Sequence, residues 1–109
     1  MKRKLRVGVI GVGSFGKNHV RVYSDLENVD LVAVCDRNQE ALQRVRKYGA
    51  REYTSYREML KREQLDLVSL VVPTKLHHAI GLDVLNSGVN LLVEKPIAAT
   101  VEEARELIE

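Results

Sequence analysis

The stretch LRVGVIGVGSFG, residues 5–16, joins a short apolar run to a turn that contains three glycines. The run from Leu5 to Ile10 is almost continuously apolar, which is typical of a strand buried on both faces of a sheet. The turn Gly11-Val12-Gly13-Ser14-Phe15-Gly16 follows it directly and leads into a segment with helical spacing. A strand, a tight turn and a helix in this order predict the start of a βαβ unit, from which parallel sheets are built.

The same alternation continues along the rest of the chain. Short apolar runs rich in valine are separated by segments in which apolar residues recur at helical spacing. The expected strands are Leu5–Ile10, Val29–Cys35, Leu67–Val72 and Val89–Val93, with a further short extended stretch at Arg51–Thr54. Strands that alternate with helices form a parallel sheet with right-handed crossovers. The predicted fold is therefore a doubly wound α/β domain of three layers, with helices on both faces of the sheet.

Helix faces and helix ends can be read from the same pattern. One predicted sheet-facing stripe consists of Phe15, His19, Val22 and Leu26, and the next consists of Ala41, Val45 and Tyr48. Polar caps and closing glycines predict the ends of two helices: Asn38 with Gly49, and Thr74 with Gly88. Two further helix starts have the spacing of a capping box: Ser55 with Glu58, and Thr100 with Glu103.

Length and composition predict one folded domain over residues 1–109. The chain is 45% hydrophobic and 29% charged, close to the averages for soluble globular proteins. The last predicted helix begins after Thr100, and the sequence stops at Glu109. We therefore expect a domain that is truncated at its C-terminal end, without the second domain that would follow it.

Charge, hydropathy and cysteine content argue against several other classes of protein. The net charge of +2 is dispersed, apart from Lys2-Arg3-Lys4, which is a weak basis for holding nucleic acid. No apolar run has the length of a membrane span, and no signal-peptide pattern follows Met1. A single cysteine, Cys35, excludes an internal disulfide and predicts a small buried side chain. We expect a cytoplasmic protein without a nucleic acid, membrane or metal partner.

The glycine turn has the G-x-G-x-x-G pattern in the one setting that gives this pattern a clear mechanism. Gly11 would allow the tight turn, Gly13 would let a pyrophosphate approach the backbone, and Gly16 would let the helix pack closely on the sheet. The amides at the helix start, with Ser14 and Phe15 beside them, would then face the pyrophosphate at the positive end of the helix dipole. These roles predict a Rossmann-type dinucleotide-binding domain. A glycine-rich turn without a ligand is the alternative.

Asp36 ends the second predicted strand, twenty residues after Gly16. At this place an acidic side chain accepts hydrogen bonds from the hydroxyls of the adenosine ribose, which favours NAD. The carboxylate would repel the 2'-phosphate of NADP, but Arg37 follows it and could bind that phosphate, so the use of NADP remains open. A plain turn residue after a strand is the alternative for Asp36.

Two later segments narrow the class of protein. Val72-Pro73-Thr74-Lys75-Leu76-His77 ends the fourth predicted strand, and Glu94-Lys95-Pro96 ends the fifth. Together with the glycine turn and Asp36, these segments resemble the Gfo/Idh/MocA family of oxidoreductases. The resemblance covers the whole chain, and its most specific part is the stretch GVNLLVEKPIA, residues 88–98.

The resemblance implies a function and roles for single residues. Members of the family oxidise or reduce sugars, inositols and related polyols with NAD or NADP, using such an N-terminal domain and a larger α/β substrate domain. Lys95 would be the catalytic lysine near the nicotinamide, where a cation orients the reacting hydroxyl and helps lower its pKa. Glu94 would hold Lys95 or the cofactor ribose, and Pro96 would set the turn, for which a cis peptide bond is one option.

The remaining residues carried over from the family line the nicotinamide half of the site. Val72, Pro73 and Thr74 would form walls of the cofactor site near the switch point of the sheet. His77 matches the family's histidine in the following helix, although a packing or capping role suits a lone histidine better. In the family the proton-transferring residues come from the following domain. The chain alone is thus expected to bind the cofactor without catalysing the reaction.

Two other functions remain open at this point. A stand-alone nucleotide-binding or redox-sensing module would act through a partner chain rather than through chemistry of its own. A CoA-binding domain is disfavoured, because Asp36 suits a free ribose edge better than a phosphorylated one. The sequence carries no signal for the oligomeric state, and a homo-oligomeric parent enzyme is compatible with it.

Overall fold

The computed structural model describes residues 4–13, 16–72 and 74–93, with the backbone alone for Thr74, Lys75, His77 and Val93. Over these residues strands and helices alternate. The elements are β1 (Leu5–Ile10), α1 (Gly16–Asp25), β2 (Val29–Cys35), α2 (Gln39–Val45), a 3-10 turn (Arg46–Tyr48), β3 (Arg51–Tyr53), α3 (Tyr56–Arg62), β4 (Leu67–Leu70), α4 (Thr74–Asn86) and β5 (Asn90–Val93). The short stretch at Arg51 is thus a strand.

The five strands form one parallel sheet in the order β3-β2-β1-β4-β5. The chain winds outward from β1 to β3, crosses to β4 beside β1, and then continues to β5. One row across the sheet consists of Val34, Val9, Ser69 and Leu92. This order confirms the predicted doubly wound, Rossmann-type fold, and the direction of winding reverses between β1 and β4.

Two hydrophobic cores lie on opposite faces of the sheet and complete the three predicted layers. One core packs α1 and α2 on β1 and β2, and it is formed by Val9, Val12, Val20, Val34, Ala41, Leu42 and Val45. The other packs α3 and α4 on the sheet through Met59, Ile80 and Val84. Ala41 and Val45 are buried and Tyr48 packs against them, so the face predicted for α2 is confirmed.

The sheet-facing side predicted for α1 is wrong. Val22 and Leu26 are 47% and 43% exposed, whereas Gly16 and Val20 are buried. The start of α1 lies against the carbonyl of Gly11, and this contact sets the rotation of the helix about its axis. The residues four and seven positions after Gly16 therefore face the sheet, as a period of 3.6 residues requires. The second of these, Tyr23, bonds through its hydroxyl to buried Ser69, with 2.5 Å between the two oxygens.

The predicted helix ends are largely confirmed. The side chain of Asn38 accepts the Glu40 N–H at 2.8 Å at the start of α2. Gly49 and Gly88 have φ angles of +79° and +83°, the left-handed conformation that closes helices at low cost only for glycine. Thr74 is the first residue of α4, and capping by its side chain stays a prediction.

The capping box at the start of α3 is half formed. Ser55 Oγ accepts the Glu58 N–H at 3.4 Å, as predicted. The Glu58 carboxylate instead pairs with Arg62 Nε at 3.0 Å, one turn further along the helix. The box predicted at Thr100 and Glu103 lies outside the described residues.

Three strand boundaries differ from the prediction, and the first difference is that β3 ends at Tyr53 rather than Thr54. β4 ends at Leu70 rather than Val72, where its ladder with β1 ends at the pair of Ile10 and Leu70. β5 begins at Asn90 rather than Val89. Val72 consequently lies two residues beyond the end of its strand, in the crevice that borders the glycine turn.

Candidate functional site

The glycine turn leaves β1 at the carboxyl edge of the sheet, between β2 and β4. Its first amide, Gly11 N–H, donates to the Cys35 carbonyl at the end of β2 at 2.8 Å. On the other side, Val71 N–H donates to the Ile10 carbonyl at 2.8 Å. The turn therefore sits where the winding direction of the sheet reverses, and such switch points form the ligand-binding crevices of open α/β sheets.

The three glycines of the turn differ in what a side chain would meet. At Gly11, with φ of +90°, a Cβ atom would collide with the carbonyl of Val71. At Gly16 it would collide with the carbonyl of Gly11. At Gly13 it would meet no described heavy atom within 4 Å. The tight turn at Gly11 and the close packing at Gly16 are thus confirmed. The structure gives no folding reason for Gly13, whose open side fits the predicted approach of a ligand.

Asp36 lies beside the glycine turn, as the sequence predicted, and its carboxylate joins two loops. Oδ2 accepts the Val12 N–H at 3.0 Å, and Oδ1 accepts the Asn38 N–H at 2.8 Å. The backbone of Asp36 donates to the Tyr53 carbonyl of β3 at 3.0 Å. The half-buried carboxylate is thus fixed at the mouth of the crevice, at the end of β2.

Sequence reasoning missed the two amides that Asp36 binds. Backbone donors leave no side-chain signature, so the bond to Val12 could not be read from the residues. The bond to Asn38 could have been found, because an Asp side chain commonly accepts the amide two residues later in an Asx turn.

The residues on either side of Asp36 differ in exposure. Arg37 is exposed, so its guanidinium is accessible to a phosphate, as the sequence suggested. Cys35 is buried, which confirms the predicted small apolar role. Burial, followed by the charge of Asp36, raises the pKa of the Cys35 thiol to about 12, against the opposing charge of Arg37. The thiol is therefore protonated at neutral pH and a poor nucleophile.

The nicotinamide half of the predicted site is described only in part. Val72 is half-buried, packs against the core beneath α3 and α4, and approaches the turn, with its Cγ1 3.0 Å from the position of a Gly11 Cβ. The backbones of Thr74 and His77 lie in the first turn of α4, which begins at the same edge of the sheet. The other predicted site residues lie outside the described part of the chain, and their roles remain predictions: Ser14, Phe15, Pro73, Glu94, Lys95 and Pro96.

The described residues contain neither a candidate metal site nor a candidate membrane span. In residues 4–13, 16–72 and 74–93, no group of three or more His, Cys, Asp or Glu side chains is placed to hold a metal ion. None of the helices described there is long and apolar enough to cross a membrane.

The strand order, the glycine turn and the carboxylate at the end of β2 together define a Rossmann-type nucleotide-binding domain. Residues 5–109 match the family model described as "Oxidoreductase family, NAD-binding Rossmann fold". The chain belongs to this family, Gfo/Idh/MocA, as the resemblance in the sequence predicted.

Relatives of the chain include both a glycosidase and dehydrogenases. The alpha-N-acetylgalactosaminidase of Shewanella oneidensis is 37% identical over 116 residues, which cover 96% of this chain and 25% of that protein. The WlbA dehydrogenase from Bordetella pertussis, solved in complex with NADH and UDP-GlcNAcA, is 33% identical with a TM-score of 0.90, covering 97% of this chain and 33% of that one. The myo-inositol 2-dehydrogenase from Lactobacillus plantarum is 29% identical with a TM-score of 0.89, and the match covers 97% of this chain and 32% of that enzyme's chain. The chain thus spans between a quarter and a third of these relatives.

Proposed function

We propose that the chain is the cofactor-holding part of an oxidoreductase that transfers a hydride between a nicotinamide dinucleotide and a carbinol carbon of a sugar, inositol or related polyol. The observation that carries this proposal is the open side of Gly13 next to the Asp36 carboxylate, at the point where the sheet reverses its winding. Family membership and the NADH complex of a relative support it.

The residues of the crevice fit a dinucleotide. Gly13 leaves room for a pyrophosphate to approach the backbone, and α1 points its positive end at the same place. The Asp36 carboxylate suits two ribose hydroxyls, which donate hydrogen bonds, and it repels a 2'-phosphate. NAD is therefore the proposed cofactor. Exposed Arg37 leaves NADP as a weaker ligand of the same site.

The reacting side of the site is assigned to the residues carried over from the family. When bound, the nicotinamide supplies the acceptor or donor of the hydride. We assign Lys95 to the reacting hydroxyl, where its positive charge stabilises the developing alkoxide. Glu94 orients Lys95 or the cofactor ribose, and Pro96 sets the turn. We assign Pro73 and Thr74 to the walls of the cofactor site, as the family resemblance implies.

Catalysis is divided between this domain and a substrate domain of a longer protein. Near-attack geometry and the proton-transferring group would both come from that second domain. The 109-residue chain should therefore bind NAD and show no appreciable turnover. The test measures NADH formation from a panel of inositols, hexoses and nucleotide sugars, with the chain alone and with the chain fused to the following part of the Lactobacillus plantarum enzyme. Turnover by the chain alone at ordinary enzyme rates would contradict this division.

Glycoside hydrolysis is a second candidate, favoured by the identity of 37% to an alpha-N-acetylgalactosaminidase. NAD-dependent glycosidases are a known exception to the two-carboxylate mechanism. Such an enzyme removes a hydride from a sugar carbinol and returns it after the aglycone has left and water has been added. The net reaction is hydrolysis, and NADH does not accumulate.

The two candidates give different products in the same assay. A fusion to the following part of the Shewanella oneidensis protein is incubated with p-nitrophenyl α-N-acetylgalactosaminide and NAD. Release of p-nitrophenol without net NADH would favour the glycosidase, and NADH formed in proportion to substrate would favour the dehydrogenase. If neither fusion turns over although NAD binds, a stand-alone nucleotide-binding module becomes the better account.

A further inference from the structure

The Asp36 carboxylate is bound by backbone amides of two different turns. Oδ2 holds the amide of Val12, which lies between the first two glycines of the turn after β1. Oδ1 holds the amide of Asn38, the capping residue of α2. One side chain therefore links the glycine turn to the loop that begins the next helix.

The backbone of Asp36 follows directly on β2 and is hydrogen-bonded to β3. The amide of Asp36 donates to the carbonyl of Tyr53 in β3 at 3.0 Å, and the preceding carbonyl, that of Cys35, accepts the Gly11 amide at 2.8 Å. Cys35 is only 3% exposed. Because the Asp36 backbone is bonded to β3 and follows directly on a buried residue of β2, the carboxylate can hold the turn rather than follow its movements.

We propose that Asp36 is a positioning residue that holds the glycine turn in the shape that receives the cofactor's pyrophosphate, independently of its contact with the adenosine ribose. This role rests on the proposed cofactor site. Because Asp36 already orders the turn before a ligand binds, less conformational entropy is lost on binding. Part of the affinity for any phosphate ligand of the turn therefore depends on Asp36.

The two roles of Asp36 are chemically compatible. A carboxylate offers about four lone-pair positions on its two oxygens, and the Val12 and Asn38 amides occupy two of them. A ribose diol can donate to the remaining positions without displacing either amide. The cofactor would therefore add to the existing bonds instead of exchanging with them.

The variant Asp36→Asn separates the two roles when it is tested with two ligands. An Asn side chain has one acceptor oxygen, and its NH₂ group would face one of the two amide donors. NADH reaches both the turn and Asp36, whereas reduced nicotinamide mononucleotide carries a phosphate but no adenosine ribose. We expect the variant to bind reduced nicotinamide mononucleotide about fivefold more weakly, as for the loss of one hydrogen bond, and NADH more weakly still. The exchange rate of the Val12 amide with solvent should rise by a similar factor.

Asn38→Ala is the matched control in the same loop. It removes the side-chain cap on the Glu40 amide but keeps Asp36 and both backbone donors. The control should lower the thermal midpoint, as the loss of a cap does, while the Val12 exchange rate and the affinity for reduced nicotinamide mononucleotide stay at their wild-type values. Equal effects of both variants on these two quantities would attribute them to general loosening of the loop and overturn the proposal.

The remaining outcomes separate this role from the proposed function. If Asp36→Asn weakens only NADH binding and leaves the Val12 amide unchanged, Asp36 is a ribose ligand alone and the positioning role is wrong. If the wild-type chain binds neither ligand, the proposed function and this role both fail. Should the variant not fold, the scalar coupling between the Val12 amide nitrogen and the Asp36 carboxyl carbon can be measured in the free wild-type chain. Its presence supports the proposal, and its absence where the Gly11 and Cys35 coupling is detected overturns it.

Discussion

At the scale of single residues, the glycine turn contains positions that serve the fold and one that does not. A side chain at Gly11 or Gly16 would strike a backbone carbonyl, whereas a Cβ atom at Gly13 would meet no heavy atom of the described residues within 4 Å. We propose that Gly13 carries no side chain because a bound ligand approaches the backbone there. This difference between neighbouring glycines yields a direct comparison of two variants.

We predict that Gly13→Val abolishes measurable NAD binding and leaves the thermal midpoint nearly unchanged, because its side chain fills the approach of the pyrophosphate. Gly16→Ala should instead lower the free energy of unfolding by about 1–3 kcal/mol, as overpacking against a rigid neighbour does. Urea unfolding and NAD titration of both variants check this. A Gly13→Val chain that binds NAD as the wild type does would show that the turn has a structural role only.

The sequence predicted the conformational roles of Gly11 and Gly16 because these roles are local to the turn. A glycine motif between a strand and a helix has few mechanical interpretations, and Asp36 stands at the expected distance from it. The bond from Asp36 to the Val12 amide depends instead on how two turns that are distant in the sequence pack together. The residue types alone do not predict which turns pack together.

At the scale of elements, a buried carboxylate fixes the end of α3. The Glu63 side chain is only 4% exposed, and it accepts hydrogen bonds from Arg51 Nε and Nη2 at 2.5 and 2.7 Å and from the Tyr53 hydroxyl at 2.6 Å. Arg6 of β1 lies 3.9 Å away. These contacts tie the crossover between β3 and β4 to the amino ends of β1 and β3, opposite the cofactor crevice.

The charge of Glu63 gives a prediction for stability as a function of pH. The hydrogen bonds from Arg51, assisted by the Tyr53 hydroxyl, lower the pKa of Glu63 below its unfolded value of 4.5, against the opposing effect of burial. Its contribution to stability is therefore complete above pH 4.5 and is lost as the pH falls through the folded-state pKa.

We predict that Glu63→Gln lowers the free energy of unfolding by about 1–3 kcal/mol at pH 7, because charge-assisted hydrogen bonds are lost. The difference from the wild type should shrink when unfolding is measured at progressively lower pH below 4.5. Glu52→Gln is the control, because the Glu52 side chain is 24% exposed against 4% for Glu63, and ion pairs accessible to solvent contribute about 0–1 kcal/mol. A pH-independent difference for Glu63→Gln would show that its charge does not stabilise the fold.

Neither Glu63 nor the orientation of α1 could be predicted from the sequence. Glu63 follows Lys61 and Arg62 in a charged stretch that predicts an exposed side chain. Its burial depends on contacts with Arg51 and Tyr53 of β3. For α1, Val22 and Leu26 fit an apolar stripe as well as Val20 does. The contact of Gly16 with the preceding turn decides between the two stripes, and this contact is tertiary.

At the scale of the whole molecule, the doubly wound sheet brings the carboxyl ends of β1, β2 and β4 together at the proposed cofactor site. The alternation of strands and helices predicted a doubly wound parallel sheet with right-handed crossovers. The substrate could not be predicted, because the chain spans only a quarter to a third of its relatives. We propose that the contacts that select the substrate lie in a substrate domain that corresponds to the remaining part of these relatives.

In a catalytically active fusion, the exchange Lys95→Ala should reduce kcat by about a hundredfold to ten-thousandfold, the usual contribution of a positioned acid-base group. NAD affinity should stay nearly unchanged, because Lys95 is assigned to the reacting hydroxyl. Steady-state kinetics and NAD titration of the same variant separate these quantities. A loss confined to NAD affinity would reassign Lys95 to cofactor binding.

The central claim is that the chain holds NAD through the glycine turn and Asp36, and calorimetric titration of the wild-type chain tests it most directly. NADH should bind with a stoichiometry of about one and at least about tenfold more tightly than NADPH, because the Asp36 carboxylate repels the 2'-phosphate. The absence of binding by either cofactor would contradict the claim, and equal or tighter binding of NADPH would transfer the choice of cofactor from Asp36 to Arg37.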